Sequence, residues 1–206
     1  MKRAIALIGI TSALMLSAQA TVVDYDNDPG FGYLAGVPGG TNIIVVDDIE
    51  RADPNGALIQ QINIRFQNFN NYAVSVNLVV FDSTGQNLLY SAFTTAAPGV
   101  SQLQFITPPF GGGHRNLWIG VAANAPAAGM VLINQNPSVG RSLDRYAWDQ
   151  NGNGRIEPSE IVNSPYGGVI LANFAIEVLA VPEPASLVAL GAGLAGLLGL
   201  RRRARK

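Results

Sequence analysis

The chain has no cysteine and a single histidine, His114, among 206 residues. Without Cys there is no disulfide, no thiolate nucleophile and no Cys-ligated zinc. One His excludes a multi-His metal site. Charge is sparse too, at 13% Asp, Glu, Lys and Arg. Seven of the thirteen basic residues are terminal: Lys2 and Arg3 at the start, then Arg201, Arg202, Arg203, Arg205 and Lys206. Residues 21–180 retain six, all Arg, against thirteen acids, so this piece carries −7 while the whole chain shows −1. An acidic, Lys-free domain has no basic stripe to displace phosphate counterions, so no nucleic-acid partner is expected. No long helical pattern exists outside the termini, which argues against a doubly wound α/β fold. No internal repeat is found. His114 follows three glycines and has no Gly-x-Ser-x-Gly elbow to serve, so it reads as a loop residue rather than a triad member.

What is present begins at the ends. Lys2-Arg3, an apolar stretch from Ala4 to Leu16, and Ala18-Gln19-Ala20 follow the order of a secretory signal. Residues 1–20 are therefore expected to be a signal peptide, cut by signal peptidase after Ala20. The alternative is a hydrophobic N-terminal helix of the fold. At the other end, Val181-Pro182-Glu183-Pro184 interrupts regular structure, because proline removes a donor and fixes φ. Ala185 to Leu200 then runs 16 residues without a charge, and the Arg cluster follows at once. As a single helix it would span about 24 Å, short of a hydrocarbon core of about 30 Å. The pattern predicts a transient inner-membrane anchor over 185–200, with the Arg cluster cytoplasmic and the domain outside.

Pro-Glu-Pro, an apolar Gly/Ala/Leu stretch and an Arg-rich terminus together resemble the PEP-CTERM sorting signal of Gram-negative bacteria. The resemblance covers residues 181–206. It implies recognition by an exosortase and removal of the tail near the Pro-Glu-Pro triplet. It also implies delivery to the cell surface or exterior, often beside exopolysaccharide. An ordinary, unprocessed C-terminal anchor is the alternative.

Residues 21–180 are long enough for one sizeable core. Their apolar residues recur with period two. Leu58 to Phe66 alternates from Gln60 onward, as does Val74 to Phe81 before it turns fully apolar. Leu103 to Ile106, Leu117 to Val121, Met130 to Ile133 and Phe174 to Leu179 read as further strands. Turn signals separate them: Asp53-Pro54-Asn55-Gly56, Asn70-Asn71, Asp82-Ser83-Thr84-Gly85, Pro98-Gly99, and Pro108 to Gly113. Short strands between Gly/Pro turns predict an all-β domain, an antiparallel sandwich or jelly roll.

The motif that carries chemistry is Asp149-Gln150-Asn151-Gly152-Asn153-Gly154-Arg155-Ile156-Glu157-Pro158-Ser159-Glu160. It resembles the twelve-residue EF-hand calcium loop at every ligand position. Asp149, Asn151 and Asn153 would supply oxygens at positions 1, 3 and 5. Arg155 would supply its carbonyl, Glu157 a direct or water-mediated oxygen, and Glu160 a bidentate carboxylate. Gly154 permits the sharp turn, and Ile156 faces away from the ion. Calcium needs six to eight hard oxygens, which this spacing offers. A Gly/Asn-rich hairpin turn explains the Asn and Gly but not Ile156 and Glu160. No second loop is present, so a paired sensor or a dockerin is not expected. The segment Ser142 to Trp148 suits a short helix or a strand.

Other acids read more blandly. Asp24-Tyr25-Asp26-Asn27-Asp28 alternates but lacks the position-6 Gly, and is expected to be a solvated N-terminal segment rather than a second ion site. Asp47, Asp48 and Glu50 could form a glycosidase pair, but neighbours on a strand face opposite ways, so they are expected to cap a strand in solvent. Trp118 reads as core. Trp148 reads as a core plug or a sugar platform. The leading reading is a non-enzymatic, exported surface or biofilm-matrix protein, exopolysaccharide-associated, with one bound calcium. The alternatives are a calcium-dependent carbohydrate-binding module, favoured by an exposed aromatic strip at Tyr146, Trp148 or Tyr166, and then a glycan hydrolase or lyase.

Overall fold

The computed structural model describes residues 21–181. The expected signal peptide over 1–20 and the apolar helix over 185–200 lie outside the described residues. The strands are β1 (Val22–Asp26), β2 (Tyr33–Pro38), β3 (Ile44–Glu50), β4 (Leu58–Asn68), β5 (Val74–Asp82), β6 (Leu88–Ala96), β7 (Gly99–Phe110), β8 (Asn116–Ala123) and β9 (Ala128–Ile133). They continue with β10 (Arg145–Trp148), β11 (Ile161–Asn163), β12 (Asn173–Phe174) and β13 (Ile176–Val181). A 3-10 turn at Pro158–Glu160 supplies the helical structure of the described residues.

Two antiparallel sheets result. The six-stranded sheet runs β11-β10-β3-β8-β5-β6. The seven-stranded sheet is built on β4, which has β7 along one edge. Its other edge is shared: β13 pairs with Leu58 to Ile64, and β9 with Phe66 to Asn68. Beyond these lie β1, on β13, and β2, on β9, while β12 pairs with Leu132 and Ile133 of β9.

The alternation of β4 puts Ile59, Ile62, Ile64 and Phe66 in the core. Ile59 and Ile62 are out of phase for a regular strand. A bulge opposite β13, where Gln61 pairs with Leu179 and Ile59 with Ala180, inserts Gln60 and restores the inward face. With Val76, Leu78 and Val80 of β5, Leu117, Ile119 and Val121 of β8, and Ile176 and Val178 of β13, they form the core between the sheets. A second, smaller core lies on the outer face of the six-stranded sheet. Val46, Val79, Phe81, Trp118 and Ala147 gather there under Ile156. Burying Ile156 fully contributes about 1.5–3 kcal/mol.

Several expectations are corrected. The segment Asp24 to Asp28 is not solvated: Asp24 lies buried in β1 and pairs with the fully buried Arg51 at 2.6 Å. Asp47 and Asp48 do not cap a strand in solvent but sit buried in β3. In both cases distant partners replace water. Arg51 serves Asp24, the Phe174 N–H donates to Asp47 Oδ2 at 3.0 Å, and Arg145 lies 3.2 Å from Asp48. Pro108 and Pro109 belong to β7 rather than to the turn, which begins at Gly111. An edge strand tolerates proline because one side of it needs no donor. Of the two readings of Ser142 to Trp148 the strand is the one found: β10 covers Arg145–Trp148, with Leu143 and Asp144 outside it.

Candidate metal centre

The loop from Asp149 to Glu160 leaves β10 at the outer face of the six-stranded sheet. Its entry is tied to β3, since the Asp149 N–H donates to the Ile44 carbonyl at 2.9 Å. Asp149 is buried. Its Oδ1 accepts from the Asn153 N–H at 3.0 Å and its Oδ2 from the Gly154 N–H at 2.7 Å. Gly154 has φ of 77°, the left-handed conformation that a side chain disfavours. Asn151 Oδ1 accepts from the Asn153 N–H at 3.0 Å, and Asn153 Oδ1 from the Arg155 N–H at 2.9 Å. These short-range bonds wind the backbone around the Asp149 carboxylate.

Glu160 closes the ring. It is buried, and its Oε1 accepts from the Gln150 N–H at 2.8 Å. Its Oε2 accepts from the Glu157 N–H at 3.0 Å. Glu157 stands apart. Its carboxylate accepts from the Asn151 and Asn153 side-chain amides at 3.2 and 3.0 Å. Among the described residues no group of three or more His, Asp or Glu side chains is arranged to hold a metal ion. The loop instead buries two carboxylates, Asp149 and Glu160, and leaves a third, Glu157, half-buried.

The charge balance of the loop bears on whether calcium fits. The ion pairs among the described residues are Arg51–Asp24, Arg65–Asp28, Arg115–Glu50 and Arg145–Asp48. None involves the loop. Arg155 is exposed and its side chain joins no pair there. Asp149 and Glu160 are thus buried carboxyl groups held by backbone N–H groups alone. Burying an anion without a cation is costly, and a bound cation would offset it. Each carboxylate oxygen has lone pairs beyond those its N–H donors use. The donor set is all oxygen, as a hard divalent ion requires.

Ile156 anchors the loop to the fold. Its side chain enters the second core, its N–H donates to the Gly85 carbonyl at 2.9 Å, and its carbonyl accepts from Gln86 Nε2 at 2.7 Å. A Cβ on Gly85 would lie 2.7 Å from Ile156 Cβ and carbonyl oxygen, so only glycine permits this approach. The β5–β6 turn is readable as a turn, but nothing in its residues signals that it pairs with the loop.

The other acids are already partnered. Asp28 accepts from Tyr33 and Arg65, and Asp26 from the Asp28 N–H and Ser138. Asp48 and Glu50 line a hollow of about 240 Å³ with Trp118, Leu143 and Arg145. Burial pushes the Asp48 carboxyl above its ordinary value although Arg145 pulls it down. Asp48 is committed to the Leu143 N–H and Arg145, and Glu50 to Arg115. Trp118 is buried beneath the Arg145 guanidinium, 5.2 Å from the ring centre. Tyr146 and Trp148 are half-buried, meet edge to face at 6.0 Å and pack against the inter-sheet core. Tyr166 is exposed.

The last strand, β13, ends at Val181, which is buried and pairs with Leu58. The sequence that follows decides the chain's destination. Residues 180–203 match the PEP-CTERM protein-sorting motif. A chain carrying it is an exported protein and an exosortase substrate. The PEP-CTERM match starts at Ala180, one residue before β13 ends, so folded sheet and sorting motif adjoin without a linker. No curated protein and no solved structure matches the chain.

Proposed function

We propose that this exported protein is a non-enzymatic component of a bacterial surface or biofilm matrix, stiffened by one calcium ion in the loop Asp149 to Glu160. The observation that carries the reading is the pair of buried loop carboxylates, Asp149 and Glu160, with no counter-cation. Asp149, Asn151, Asn153, the Arg155 carbonyl, Glu157 and Glu160 would hold the ion. Calcium would supply charge neutralisation and cross-linking of the loop, with no chemistry on a substrate. The loop is pinned to the second core through Ile156, so ordering it stiffens the six-stranded sheet. A calcium-dependent carbohydrate-binding module would want an exposed aromatic strip. The half-burial of Tyr146 and Trp148 against the core supports the structural reading instead.

Thermal melts with calcium and with EDTA test the proposal. Extracellular calcium modules bind at about 10⁻⁴ to 10⁻³ M. At about 1 mM calcium and a dissociation constant near 0.1 mM, the ion adds roughly 1.4 kcal/mol. That raises the melting temperature of a domain this size by a few degrees. Glu160→Gln should lose most of the calcium-dependent rise, and Arg155→Ala should keep it. An equal rise in Glu160→Gln, or none in the wild type, overturns the site.

A further inference from the structure

The chain enters and leaves the domain side by side. Val22, which opens β1, pairs with Ala180, and Val181, which closes β13, pairs with Leu58 at the start of β4. The six-stranded sheet ends at the same place. Arg51, just past β3, donates to the Gly111 and His114 carbonyls ahead of β8, and the Gly113 N–H donates to the Gly56 carbonyl ahead of β4 at 2.9 Å. One end of the sandwich therefore holds the start of β1, the end of β13 and the loops 51–57 and 111–115. Val22, Val23 and Leu58 are exposed apolar side chains at its rim. Charge is spread unequally. Four of the domain's six Arg lie at or near this end: Arg51, Arg115, Arg141, which bridges to Glu50, and Arg145. Three of them pair there with Asp24, Glu50 and Asp48. Arg141 set against Asp53 and Asp82 leaves this end at −1, so −6 of the domain's −7 lies elsewhere.

We propose that, until the tail is removed, this end of the domain rests on the lipid headgroups of the membrane that Ala185 to Leu200 enters. The proposal rests on the reading of that uncharged run as a membrane anchor. The length of chain selects the occupant. Val181 is buried and held in the sheet, and only Pro182, Glu183 and Pro184 separate it from the run. The four Cα steps from Val181 to Ala185 reach at most about 14 Å. The headgroup layer fills about half of that distance. Sixteen residues are already few for the hydrocarbon core, so the anchor has no slack with which to hold the domain off. The tether alone would let the domain pivot about Val181 and touch by one sheet. The side chains decide that both sheets come down. Arg115 and Arg141 are exposed and meet headgroup phosphates, while the acidic bulk of the domain is kept on the far side. Val22, Val23 and Leu58 set apolar surface against the interface.

The absence of native cysteine makes the test clean. The chain is exported from a host without an exosortase, so that it keeps its tail. It is then reconstituted in vesicles of phosphatidylethanolamine and phosphatidylglycerol that carry a quencher on the headgroup. Lipid and this chain are the only components, so contact owes nothing to the sorting enzyme. A fluorophore is attached at one site at a time: Val23→Cys in β1, Asn55→Cys in the loop before β4, or Asn71→Cys in the turn after β4. Quenching at Val23→Cys and Asn55→Cys should be at least about fivefold that at Asn71→Cys, which the eleven residues of β4 hold about 33 Å farther away. Arg115→Glu together with Arg141→Glu should cut quenching at Asn55→Cys at least about threefold, because like charge then faces the headgroups. Arg115→Gln with Arg141→Gln, a gentler change to the fold, should give a smaller loss in the same direction. Flotation with the vesicles reads the anchor separately. A chain that does not float overturns the anchor reading and the proposal with it. A floating chain in which Asn55→Cys is quenched no more than Asn71→Cys overturns the proposal alone. Indifference of Asn55→Cys to both Arg pairs does the same.

Discussion

Arg51 is a fully buried guanidinium, and its removal has a cost that the contacts allow to be worked out. The side chain donates to Asp24 Oδ2 at 2.6 Å, to the His114 and Gly111 carbonyls at 2.9 and 3.2 Å, and to the Ala57 carbonyl. Asp24 Oδ1 in turn accepts from the Asp53 N–H at 2.8 Å. One cation thus ties β1 to the loop before β4 and to the loop before β8. Arg51→Met keeps the aliphatic bulk but leaves a buried carboxylate without a cation and three carbonyls without this donor. Breaking one side of a buried pair costs about 3–5 kcal/mol. For a domain of this size each kcal/mol lowers the melting temperature by about 2–4 °C, giving a fall of roughly 6–20 °C. Arg51→Met combined with Asp24→Leu removes the stranded charge, so it should regain at least about 1 kcal/mol over the sum of the single changes. Urea unfolding followed by fluorescence of Trp118 and Trp148 measures all four chains. An Arg51→Met variant within about 1 kcal/mol of wild type, or strict additivity in the double variant, would refute the reasoning.

Three further outcomes are expected. Asp47 is raised well above 3.8, mainly by burial and then by the charge of Asp48, so the folded chain keeps a proton that the unfolded chain loses. Stability contributed by that proton is present below 3.8 and falls as pH rises from there through the raised value. Asp47→Asn should flatten this fall in urea midpoints measured across that range, and an unchanged slope counts against it. Ile156→Ala should cost about 2–5 kcal/mol in the same assay, because it empties the lid of the second core; a cost below about 1 kcal/mol would show that the loop is not anchored there. Replacing Pro182, Glu183 and Pro184 by Ala should leave the protein in the inner membrane, read by fractionation. Unchanged release argues that the triplet is not what the exosortase reads.

The sequence by itself determined the class of fold, the destination and the loop. Strand alternation is a local property, with faces set by every second residue, so β4, β5, β8 and β13 were legible where they stand. The turn at Gly85 and the Pro-Glu-Pro tail are equally local, as is the pattern of Asp, Asn, Gly and Glu from Asp149 to Glu160. What only the tertiary structure decided is where buried charge goes. Asp24, Asp47 and Asp48 look like solvated residues because their carboxylates favour water. Each is buried because a donor from far along the chain takes water's place: Arg51, the Phe174 N–H and Arg145. The second core follows the same logic. The runs Leu78 to Phe81 and Leu117 to Val121 mark strands apolar on both faces, but nothing in them says that Ile156, from another part of the sequence, covers Val79, Phe81 and Trp118. A free energy that depends on two distant segments meeting leaves no periodic trace in either one.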